Sequence, residues 1–81
     1  MNNAIQELTD RAWDAYDANP DNPQAGHLRA WVWQFEDAAD MLAPDLKVIA
    51  CEVLRALSAL VGDSTADLVA SMPAVAEWLD Q

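Results

Sequence analysis

The sequence predicts an all-α fold, a compact single-domain bundle of four to five short helices spanning residues 1–81. Three observations predict it. Apolar residues recur at spacings of three and four along most of the chain. Prolines and glycines fall at a few points only, in "NPDNPQAG" at 19–26, "AP" at 43–44, "GDS" at 62–64, and at Pro73. Neither strand-like alternation nor an internal repeat interrupts this pattern. A chain of 81 residues allows one domain and buries about 60 to 65% of its unfolded surface, so it has little stability in reserve, and self-association would be a natural remedy.

The first helix is expected to start with Asn2 or Asn3 as its N-cap, and Ile5, Leu8, Ala12 and Tyr16 repeat along one face. At about 100° per residue, Glu7, Asp10, Asp14 and Asp17 fall together on the opposite face, with Trp13 near the boundary. A second helix is expected over residues 26–42. Its apolar stripe is Leu28, Trp31, Val32, Phe35, Ala38, Ala39 and Met41 or Leu42, with Trp31 and Phe35 as core candidates. Trp33 projects about 140° from Leu28, into the sector of Arg29, Glu36, Asp37 and Asp40, and is therefore an aromatic on a polar face.

Pro44 suits the first turn of a third helix, whose face of Leu46, Ile49, Ala50, Val53, Leu54, Leu57, Leu60 and Val61 is the widest in the chain and marks it as central. Gly62 is a stop signal, and "STAD" supplies Ser64 as a cap with Asp67 in the first turn of a fourth helix lined by Leu68, Val69 and Met72. Pro73 has no amide proton and breaks the segment, so "PAVAEWLD" forms a short last helix with Val75, Trp78 and Leu79 inward.

Charge bounds the partners. Fourteen Asp and Glu against four Lys and Arg give a net charge of −10, a field that attracts basic surfaces and repels nucleic acid and anionic lipid. The expected partner is a protein with a basic surface, such as a nuclease or another nucleic-acid-binding complex, with no direct nucleic-acid or membrane contact. The acids are spread through segments that carry strong apolar periodicity, and 53% of residues are hydrophobic, so the chain is expected to fold. The lone Cys51 permits no internal disulfide, and a cytoplasmic location fits it best. "MNNAIQELTD" has no basic n-region, and no apolar run reaches the roughly 18 residues of a membrane span; the protein is expected to be neither secreted nor embedded.

Neither metal nor cofactor chemistry is expected. Asp17, Asn19 and Asp21 alternate as the donors of a calcium loop would, but Asn22 stands where an EF-hand needs glycine and Leu28 where it needs a bidentate glutamate; turn chemistry explains the segment. Catalysis is not expected either. His27 is the one imidazole and Cys51 the one thiol, no serine has a nucleophile context, and pairs such as Asp37 and Asp40 have the spacing of an ordinary solvated helix face. Cys51 reads as a small packing residue beside the third helix's apolar face, and His27 as surface.

The residues singled out for partner binding are Glu7, Asp10, Asp14, Asp17, Arg29, Trp33, Glu36, Asp37 and Asp40. The four acids of the first helix span about 15 Å, a carboxylate about every 5 Å, which is the order of the phosphate spacing of about 3.4 Å along a nucleic-acid strand. Trp33 either adds a side chain of the kind that dominates interface energies or packs against the 19–26 loop or another helix of the domain, and Arg29 one turn earlier could stack on it. In size and charge the chain is similar to the small acidic proteins with which phages and mobile elements disable host nucleases and CRISPR complexes, and no family motif is carried over from them. That similarity implies a stoichiometric, non-enzymatic inhibitor or decoy. The alternative is a helical homodimer or adaptor module whose charge serves only solubility.

Overall fold

The computed structural model describes residues 3–81 and contains five helices in sequence: α1 (Asn3–Ala18), α2 (Ala25–Asp40), α3 (Leu46–Val61), α4 (Thr65–Ala70) and α5 (Pro73–Leu79). Among the described residues there is no strand. α1, α2 and α3 pack on one another, and α4 and α5 close the bundle by packing on α3 and α1 respectively. α1 and α2 run antiparallel: Trp13 meets Glu36 and Trp33, while Tyr16, farther along α1, meets Arg29, which is earlier in α2. The Cα radius of gyration is 11.6 Å, close to the value of about 11.7 Å expected for a dense domain of this length.

Local chemistry sets most of the boundaries. Gly62 adopts φ 85°, a left-handed conformation that glycine takes without a steric penalty, and its amide closes α3 on the Ser58 carbonyl at 2.9 Å. Ser64 is extended, and its hydroxyl accepts the Asp67 amide at 3.1 Å, the expected cap of α4. Pro73 is at the start of α5, where its missing amide proton costs nothing. At the other end of the molecule, Asn2 lies outside the described residues and Asn3 is the first residue of α1.

The 19–24 connection consists of turns. The Asn19 side chain donates to the Ala15 carbonyl at 2.9 Å, and the Asn22 side chain accepts the Gln24 amide at 2.9 Å. The two asparagines of the calcium-like pattern thus hold local backbone. Among the described residues no group of three or more His, Cys, Asp or Glu could hold a metal ion.

The core is where the periodicity placed it, centred on Leu8, Leu28, Val32, Phe35, Val53, Leu57, Leu68 and Val75, with Phe35 against Trp78 at a ring distance of 6.3 Å. Alanines contribute more than the pattern indicated. Ala4, Ala12, Ala15, Ala25, Ala50 and Ala56 are buried.

Four expectations are corrected. α2 ends at Asp40, and Met41 and Leu42 are exposed at 75% and 85% instead of completing its stripe. Trp31 is half-buried at the core margin, with its edge toward His27. Val61, at the end of α3, is exposed. Cys51 is exposed instead of packed, because α4 and α5 do not close over it and leave a groove of about 510 Å³ lined by Cys51, Leu54, Arg55, Ala66, Val69 and Leu79.

The end of α2 explains Leu42. Its amide bonds to the Ala39 carbonyl at 3.2 Å and the next amide, of Ala43, bonds to Ala38 at 2.9 Å, a paired arrangement that requires a left-handed residue between them. Leu42 has φ 53°, where most L-residues are disfavoured, and buries almost nothing. Leu42→Gly should therefore stabilise the domain by up to about 1 kcal/mol, after glycine's extra unfolded-state entropy is deducted. A rise in thermal midpoint by circular dichroism checks this; a fall would mean that Leu42 makes a stabilising contact.

Candidate functional site

The nine residues singled out in the sequence all lie on α1 and α2, but they do not form one uniform acidic surface. Asp10, Asp14 and Asp17 are exposed along α1 as expected, with Gln6 donating to Asp10 at 2.8 Å. Asp37 and Asp40 are exposed on α2. Two carboxylates depart from expectation.

Glu7 is half-buried and turned toward α5. Its Oε1 accepts the amides of Ala74 at 3.1 Å and Val75 at 3.2 Å, the first free donors after Pro73. The α5 cap residue, Met72, has no side-chain oxygen to offer, so a glutamate 67 residues away in sequence caps the helix and places its charge at the positive end of the helix dipole. Glu7→Ala should lower stability by about 1–2 kcal/mol, or roughly 4–16 °C in thermal midpoint, with partner binding reduced far less than by changes at Asp10 or Asp14. Urea and thermal melts alongside a binding assay separate the two effects. Unchanged stability with lost binding would return Glu7 to the interaction surface.

Glu36 is the second. It is half-buried and accepts the Trp13 indole N–H at 3.3 Å, so it joins α1 to α2. Trp13 itself bridges outward. Its ring lies 5.7 Å from Tyr16, edge-on, and 6.4 Å from Trp33. Arg29 covers the other side of this cluster, with its guanidinium carbon 5.0 Å from the Trp33 ring centre and 5.9 Å from that of Tyr16, and it donates to the Tyr16 hydroxyl at 3.3 Å. The expected stacking of Arg29 on Trp33 is present, and Trp33 still exposes 54% of its surface. Trp13, which the sequence left near the boundary between the two faces, and Tyr16, which it placed in the apolar stripe, are both half-buried and belong to the site.

Among the described residues none of the four cations forms an ion pair with a carboxylate of α1 or α2. Arg11 donates to the Ser71 hydroxyl at 3.1 Å, Arg29 lies on aromatic rings, and Lys47 donates to the Gln81 carbonyl at 3.1 Å with Trp78 beneath it. Arg55 alone meets a carboxylate, Glu52 at 2.8 Å, the one ion pair among the described residues. Asp10, Asp14, Asp17, Asp37 and Asp40 therefore face outward with their charge uncompensated.

A shallow groove of about 440 Å³ runs along α1 beside Ser71 and is lined by Gln6, Glu7, Asp10, Arg11 and Asp14. His27 lines neither this groove nor the apolar groove of α3, α4 and α5 that Cys51 lines. No helix among the described residues is long and apolar enough to cross a membrane. Comparison with family models, curated proteins and solved structures found no match for this chain.

Proposed function

We propose that this chain is a non-enzymatic binding protein that sets the α1–α2 face against a basic surface of a nucleic-acid-binding protein and blocks it stoichiometrically in the cytoplasm, as a decoy of the phage or mobile-element anti-defence kind. The observation that carries the reading is the uncompensated charge. Three of the four cations are bonded to hydroxyl, carbonyl or aromatic groups, while the aspartates of α1 and α2 are left unpaired on two adjacent antiparallel helices. Like charges held this close oppose folding, and a basic partner would relieve that repulsion.

Affinity-tagged protein incubated with host-cell lysate and washed at low and then high salt should release a nucleic-acid-binding protein in the high-salt step. Equimolar addition of this chain should then displace nucleic acid from that purified partner. A partner retained at high salt, or one that keeps its nucleic acid, refutes the decoy. It would favour the adaptor or homodimer reading, for which the specific observation is the exposed apolar group Met41, Leu42 and Val48 around the α2–α3 turn.

A further inference from the structure

We infer that Trp33 is a stacking platform for an arginine side chain of the basic partner, with the guanidinium on the open surface of the indole and the carboxylates of Asp37 and Asp40 as its acceptors. This deepens the decoy reading and rests on it: the acidic face attracts a basic segment, and the platform selects which basic residue is seated.

The geometry points to arginine from three sides. First, the chain already places a guanidinium on this ring, since Arg29 sits 5.0 Å from its centre and donates to Tyr16. Even with Arg29 on it and Trp13 6.4 Å away, Trp33 is 54% exposed, so a second planar cation has surface to occupy. Second, Asp37 and Asp40 follow Trp33 by four and seven residues on α2, the spacing of one helix face, and both are exposed. Neither carboxylate has an ion pair among the described residues. Third, a guanidinium can stack flat on an indole and still direct its N–H groups sideways to carboxylates, whereas an ammonium is a compact, strongly hydrated point charge that gains less from the ring.

Other occupants fit less well. A second copy of this chain would bring another net charge of −10 to the same face, and a nucleotide or anionic lipid would bring phosphate to it. A cage for methylated lysine needs open space between its rings, and Arg29 fills the space between Tyr16 and Trp33.

The test uses the full chain and two fluorescently labelled peptides of equal length, oligo-arginine and oligo-lysine, with affinities read by anisotropy at low and high salt. Oligo-arginine should bind about threefold to tenfold more tightly, and the preference should persist at high salt, where the diffuse charge term is screened. Trp33→Ala should remove the preference while leaving oligo-lysine affinity within about twofold, and Trp33→Phe should retain part of it. Circular dichroism of both variants confirms folding, and the exposed position of Trp33 makes loss of fold unexpected. Equal, salt-sensitive binding of the two peptides overturns the platform and leaves the decoy reading standing. Preference intact in Trp33→Ala likewise overturns the platform alone. Failure of both peptides to bind overturns both readings, and a peptide-free dimer that Trp33→Ala dissolves assigns the face to self-association and overturns the platform.

Discussion

Replacing Asp10, Asp14 and Asp17 together by lysine is expected to abolish capture of a basic partner, lowering affinity on the order of a hundredfold. Each reversal removes an attraction of about 0.2–1 kcal/mol for a rim charge and adds a repulsion of similar size, so three supply roughly 1–6 kcal/mol. Each also shifts the net charge by two, from −10 to −4 for the triple variant, which slows encounter as well. The fold should tolerate the change. All three side chains are exposed, only Asp10 makes a side-chain hydrogen bond, to Gln6, and lysine is a good helix former. Binding measured at several salt concentrations, with circular dichroism as the control, checks the result. An intact helical spectrum with undiminished, salt-insensitive association would instead show that the carboxylates serve solubility alone.

Phe35→Ala should cause the largest loss of stability in the molecule, about 3–5 kcal/mol. Phe35 is fully buried on α2, and its ring meets Trp78 of α5, so its removal opens a cavity where the short last helix closes on the bundle. A domain of this length has a total stability of roughly 4–12 kcal/mol, so the variant stands near the unfolding threshold. The thermal midpoint should fall by at least about 12 °C, with a broadened transition. A loss under about 1 kcal/mol would mean that the bundle repacks freely and that α5 is not held through this contact.

The two faces of α2 have separate roles. Phe35 and Trp33 are two residues apart and point to opposite environments, one fully buried and the other more than half exposed at 54%. Replacement of the first tests the fold, and replacement of the second tests recognition. Such separation is useful in a small domain, where loss of binding is easily confused with loss of structure.

Much of the architecture was legible because its causes are local. Gly62, Ser64 and Pro73 act on their own backbone or on that of the next few residues, and the boundaries near them fall where the residue chemistry requires. Pro44, expected in the first turn of α3, instead lies before the cap Asp45 and outside the helix. The apolar faces of α1 and α3 follow from helical geometry and need no knowledge of what covers them. The exposed aspartates at 10, 14, 17, 37 and 40 follow for the same reason, since each is far around the helix from the buried stripe. Local rules failed at the end of α2, where a leucine takes a left-handed conformation that composition assigns to glycine or asparagine.

The helices, their order, the acidic excess and the polar-face tryptophan were thus determined by the residues themselves, through spacing and backbone chemistry. Tertiary structure decided what the flank residues do. A side chain midway between the buried and solvated faces has no local signal for its fate, which depends on the helix that arrives beside it. α5 brings two unsatisfied amides to Glu7 and makes it a cap; α2 brings Glu36 to the Trp13 indole and Arg29 to Tyr16. Whether a charge on such a flank faces water or a neighbouring dipole is settled by contacts between residues far apart in sequence, and helical periodicity carries no information about them.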